Sequence, residues 1–190
     1  MKRSFRKTRV YLIKARAQLR LRSRQVAALF NNFETNYSAI ETGKKGRMMR
    51  FLTMCQVFKA LEIPLNVGCE KEMKYLKRRF VIREEDTYQN LCYYQKRPRR
   101  IKSNIDNYRF YLYKARCILG YSITEFARKS GVNRTHYLRV ENGNIKDTVS
   151  FVVMYRIAKT LELDFNYVYK CELDYLYPKY PERMKKFNSK

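Results

Sequence analysis

The 190-residue chain repeats itself at an offset of 100 residues. VYLIKARAQL (10–19) lies over FYLYKARCIL (110–119), and the register continues without a gap through Tyr37/Tyr137, Ile40/Val140, Glu41/Glu141, Gly43/Gly143, Phe51/Phe151, Met54/Met154 and Lys59/Lys159. It then runs through Leu61-Glu62/Leu161-Glu162, Asn66/Asn166, Glu72/Glu172 and Tyr75-Leu76/Tyr175-Leu176. From Arg9 to Leu76, 21 of 68 positions are identical, where random pairing gives a handful. The fold is therefore one that a short unit can make twice. The expected organisation is an N-terminal domain (1–76), a connector (77–106), a C-terminal domain (107–176) and a basic tail (177–190).

Each unit reads as all-helical. In the second, Tyr111, Leu112, Ala115, Ile118 and Leu119 follow the i, i+3/i+4 spacing of an amphipathic helix, which Gly120 ends. Ser122 and Glu125 have the form of a capping box opening a short helix through Phe126 and Ala127. Gly131 supplies a positive-φ turn, and Asn133 caps a third helix running to about Glu141, where Asn142-Gly143 stops it. Asp147 or Thr148 caps a fourth, carrying Phe151, Met154, Ile157, Ala158 and Leu161, and a fifth follows Asp164. In the connector, Phe80-Val81-Ile82 suggests a short strand, and KRPRR (96–100) is a basic patch whose Pro opposes a continuous helix.

Lys and Arg number 42 against 17 Asp and Glu, a net charge of +25 that calls for a polyanionic partner. Apolar residues at 45% suffice for packed cores, which excludes general disorder. No stretch approaches the roughly 18 uncharged apolar residues of a membrane span, and MKRSFRKTRV leads into no apolar leader segment. The cysteines, at 55, 69, 92, 117 and 171, form no C-x-x-C pair, and His136 is the only histidine. Neither a zinc site nor a disulfide framework is expected; reduced thiols are. No nucleophile–base constellation, phosphate loop or Gly-rich fingerprint occurs, so neither an enzyme nor a cofactor is expected.

SITEFARKSGVNRTHYLRVENG (122–143) closely resembles the helix-turn-helix of the lambda-repressor/Cro-like family, and RIAKTLEL (156–163) resembles that family's fourth helix. The resemblance implies two tandem five-helix domains joined by the basic connector, and a third helix that enters the major groove of double-stranded DNA. Carried over position by position, it places Asn133, Arg134, Thr135 and Arg139 at base-reading positions, with both arginines suited to guanine. Ser122, His136 and Asn142 fall at phosphate-facing positions, while Tyr137, Val140 and Glu141 fall in the scaffold. Ile123 departs from the family, which usually has a Gln there.

The first repeat resembles the family through its kinship to the second. Asn31 replaces the turn glycine and tolerates the left-handed conformation. Phe33, Glu34, Thr35 and Ala39 occupy the reading positions, a poor set for base readout. Yet residues 1–76 carry 17 basic and five acidic groups. Arg22, Arg24, Asn36, Lys44, Lys45 and Arg47 are the expected phosphate contacts there, or else this repeat serves as a packing partner.

The resulting expectation is a sequence-specific transcriptional repressor of bacterial, phage or mobile-element type, located in the cytoplasm on the nucleoid. It acts as a covalent pseudo-dimer on an asymmetric site, with half-sites about 34 Å apart. Further homodimerisation through the tyrosine-rich tail is left open, and no protein partner is specified. Two alternatives remain. One is an architectural, RNA- or single-strand-binding protein, favoured by the 17 tyrosines. The other is a helix-turn-helix module that binds a protein, such as a phage-encoded inhibitor.

Overall fold

The computed structural model describes residues 8–45, 49–80, 108–145 and 149–181. Among these residues there are ten helices and no strand. They are α1 (Val10–Gln18), α2 (Ser23–Leu29), α3 (Glu34–Glu41), α4 (Phe51–Ala60), α5 (Leu65–Arg79), α6 (Phe110–Ile118), α7 (Ile123–Ser130), α8 (Arg134–Glu141), α9 (Phe151–Thr160) and α10 (Phe165–Leu176). The expected caps at Asp147 or Thr148, the strand at 80–82 apart from Phe80, the basic patch at 96–100, Arg47 and Cys92 lie outside the described residues.

Left-handed backbone punctuates both halves of the chain at matching places: Arg20 and Gly120, Asn31 and Gly131, Gly43 and Gly143, Glu62 and Glu162. Asn31 has φ 48° and Gly131 φ 61°, so the asparagine carries the turn that glycine carries in the second half. Helix α5 runs three residues past Leu76, to Arg79. Lys77, Arg78 and Arg79 fill its last turn, where positive charge suits the helix dipole.

By their contacts the described residues form two compact units. One comprises 8–80 with 150–152 and 165–181; the other comprises 108–145, 149 and 153–164. The core of the first includes Leu12, Val26, Tyr37, Ile40, Phe51, Met54, Val57 and Phe58, with α2 packed on α3, and α4 and α10 both on α5. The core of the second is built from Leu112, Phe126, Val132, Tyr137, Val140, Met154, Ile157 and Leu161.

Two ion pairs, one buried and one half-buried, lock the first unit. Arg9 donates to both carboxylate oxygens of Glu72 on α5 at 2.8 Å, and both side chains are 0% exposed. The same guanidinium donates to the carbonyls of Ile40 and Lys45, fastening α5 to the end of α3. Arg16 of α1 pairs with Glu41 of α3 at 2.8 Å. In the second unit Arg116 and Glu141 make the equivalent pair, with distances of 2.9 and 3.0 Å. Tyr75 and Tyr175 are half-buried, and cations cover their rings, Arg9 at 4.6 Å and Lys179 at 3.8 Å. A phenol at these positions offers a π face to a cation.

Candidate nucleic-acid interface

The second unit presents a two-helix motif whose joints are all closed by local chemistry. The Ser122 hydroxyl accepts from the Glu125 amide at 3.2 Å, and the Glu125 carboxylate accepts from the Ser122 amide at 2.8 Å, closing the box that opens α7. Those hydrogen bonds hold the Glu125 carboxyl below its ordinary pKa. Gly131 ends α7 in the left-handed conformation. Asn133 then caps α8, its side-chain oxygen accepting from the Thr135 and His136 amides at 2.9 and 3.3 Å. The two helices are clamped by the Phe126 and Tyr137 rings, 4.2 Å apart, over buried Ala127, Val132 and Val140.

Below that clamp lies Glu141, 2% exposed. It accepts from Arg116 and from the Tyr137 hydroxyl at 2.5 Å. Burial, and then the carboxylate beside it, push the Tyr137 phenol well up, so it stays a donor at any ordinary pH. The hydrogen bond to Glu141 raises the Arg116 pKa in turn. Glu141 is thus the centre of a three-residue polar knot in a helix-packed interior.

What α8 leaves open is a face of mixed chemistry. Arg134 and Thr135 are exposed, and Leu138, Arg139 and Asn142 are half-exposed. Residues 134, 138 and 142 form one i, i+4 row, and 135 and 139 form the next, so these five side chains share a face. Its opposite face, Tyr137, Val140 and Glu141, is the buried one. The only acidic residue of α8 is therefore turned inward. Leu138 was missed from the sequence, although its spacing of three and four from Thr135 and Arg134 places it among them. Asn133 is half-exposed and its side-chain oxygen is committed to the cap, leaving the amide NH₂ as its donor.

His136 stands apart. It is half-buried, and burial followed by the charge of Arg139 holds its pKa below the ordinary imidazole value. At neutral pH it is an uncharged ring at the flank of α8.

In the first unit the corresponding helices carry different chemistry. The α3 face shows Glu34 and Thr35 exposed, Ala39 half-exposed, and Phe33 as its N-cap residue, 77% exposed. Asn36 is held between neighbours: its amide donates to Asn32 at 2.8 Å and its oxygen accepts from Lys45 at 2.9 Å. Arg22, Arg24, Lys44 and Lys45 are exposed around these helices, Arg22 at the N-cap of α2, where its amide donates to Gln25 at 2.7 Å.

The sequence comparison agrees with this geometry. Residues 112–168 match the family described as Helix-turn-helix. The second half of the chain is thus similar to a helix-turn-helix domain. The match spans α6 through the start of α10, including every α8 residue named above, and it does not extend to residues 8–80. No curated protein and no solved structure matches the chain. The matched family is a DNA-binding one without enzymatic activity, and it supports a DNA-binding regulator. Among the described residues no cluster of three or more metal-ligating side chains occurs, and no helix is long and apolar enough to cross a membrane.

Proposed function

We propose that the chain is a sequence-specific double-stranded-DNA-binding repressor, built from tandem helix-turn-helix copies at 1–76 and 107–176 that act as a covalent pseudo-dimer on an asymmetric site. The open face of α8 carries this reading: two arginines, a threonine and a leucine on a capped helix whose one carboxylate is buried. Arg134 and Arg139 read guanine, Thr135 takes either role, and Leu138 meets a thymine methyl. Ser122, Asn142 and the neutral His136 approach phosphates, as do Arg22, Arg24, Asn36, Lys44, Lys45 and Arg47 in the first copy. On this reading the protein is a non-enzymatic regulator that works on the nucleoid in the cytoplasm.

Support for the pseudo-dimer comes from within the first compact unit. Equivalent residues of the two copies meet there: the Phe51 and Phe151 rings lie 6.3 Å apart, Arg50 and Ser150 form an antiparallel bridge, and α5 packs on α10. Pairing of a surface with its own equivalent is the signature of a twofold interface. The matching left-handed residues in both halves support the duplication itself.

The test is a salt titration of binding to a duplex of about 30 base pairs, with single-stranded DNA and RNA of the same length alongside. Some eight neutralised phosphates give a slope of log K against log salt of about −7 on the duplex. A slope near zero contradicts the reading, and tighter binding to single strands transfers the protein to the RNA or single-strand class.

A further inference from the structure

Helices α1 and α5 border a cleft of about 670 Å³ lined by Lys14, Lys71, Lys74 and Arg78, with Tyr11 and Tyr75 in its wall. All four cations are exposed, and none pairs with a carboxylate among the described residues. Glu72, which lies between Lys71 and Lys74 in sequence, is buried and neutralised by Arg9, with the Tyr11 hydroxyl donating to it at 2.6 Å. The cleft therefore presents four positive groups beside a carboxylate that is already satisfied.

The fold does not need these charges. At the equivalent places of the second copy, Lys71 and Lys74 are replaced by Cys171 and Asp174 in a helix of the same register, and Pro178, two residues past the end of α10, stands where the first copy has Arg78. Only Lys14 has a basic counterpart, Lys114. Within the first unit the cleft is also turned away from α3. On α1, Leu12 is buried and Arg16 reaches Glu41 of α3, whereas Val10 and Lys14, each two residues and so about 200° around the helix from Leu12, line the cleft. Lys71, Lys74 and Arg78 span about 10 Å along α5, more than one phosphate can bridge.

We propose that this cleft is a second anion site that takes a run of two or three phosphate groups, independently of the helix-turn-helix. Such a run comes either from a free polyphosphate or from the backbone of a second nucleic-acid segment. The volume lies in the range of small-molecule sites, and the tyrosines give it an apolar wall. The proposal does not depend on what α8 reads.

Inorganic tripolyphosphate is titrated calorimetrically into the full chain at about 150 mM salt, where loosely exposed charges are largely screened. In parallel, the protein is loaded on an immobilised duplex and its capture of a second, labelled duplex is measured. The double variant Lys71→Ala/Lys74→Ala, and separately Lys14→Ala, are compared with Arg134→Ala/Arg139→Ala, with circular dichroism melting curves as the check on folding. The expected result is at least a tenfold loss in one of the two assays for the cleft variants, with second-duplex capture normalised to the protein loaded on the first duplex and the α8 variant compared only in the tripolyphosphate titration. Loss of tripolyphosphate binding identifies a free polyphosphate, and loss of second-duplex capture identifies nucleic acid. Cleft variants that behave as wild type in both assays, or tripolyphosphate binding lost equally by the cleft and α8 variants, overturn the proposal.

Discussion

His136 shows how a residue's neighbourhood can reverse the role its type suggests. A surface histidine at a phosphate-facing position invites a cationic contact, but burial and Arg139 both disfavour the protonated ring. The folded pKa is depressed below the unfolded value of about 6.5, so the unfolded chain binds more protons between the two. Stability from this group is intact above about pH 6.5 and falls as pH drops through the folded pKa. Urea denaturation of the wild type at pH 7.5 and pH 5.5 is expected to show a loss at the lower pH, and His136→Gln should remove part of that dependence. Equal pH dependence in both proteins would show that other groups cause it. The Arg116–Glu141–Tyr137 knot is of the other kind, a charge pair whose partners satisfy each other inside the fold. Its residues recur as Arg16, Glu41 and Tyr37, identical in both halves, with Tyr37 donating to Glu41 at 3.1 Å. That identity was legible in the sequence, but which identical charged residues pair across helices was not, because partners 25 residues apart meet only after α1 and α3, or α6 and α8, have packed.

At the scale of elements, the motif and its caps could be read directly. Ser122, Glu125, Gly131 and Asn133 act on residues at most three positions away, so their roles are local chemistry. Packing between helices is a different matter, and α4 against α5 illustrates it. A methyl group added at Gly68 would stand 2.7 Å from the Phe58 ring, which is fully buried. The second copy has Ala158 and Val168 at these places, so the large and small residues are exchanged in the alignment. Gly68→Val is therefore expected to cost about 3 kcal/mol. Phe58→Ala alone costs about 3–5 kcal/mol through the cavity it leaves. Combined, they should destabilise by at least about 2 kcal/mol less than their sum, because each relieves the other's defect. Chemical denaturation of the three variants checks this, and simple additivity would mean the two positions do not share one packing site.

For the whole molecule, charge and duplication point the same way, and the structure adds where they diverge. The copies share their turns and buried ion pairs but not their exposed faces: Arg134 and Arg139 on α8 face Glu34 and Ala39 on α3 in the alignment. On the proposed function, an asymmetric pair of docking helices specifies an asymmetric site, with base readout concentrated in the second half and the first half holding backbone. The alignment made this divergence visible residue by residue. It could not show that 150–152 and 165–181 join the compact unit of the first half, since that depends on which apolar faces find each other. The central claim is tested most directly by selecting bound sites from a random pool of double-stranded DNA at about 150 mM salt. The intact chain and the Arg134→Ala/Arg139→Ala variant are compared. The account predicts one non-palindromic motif, with its information concentrated in one half, and loss of that half's sequence preference in the variant. Tight binding with no recoverable motif, or a motif unchanged by the two substitutions, would contradict it.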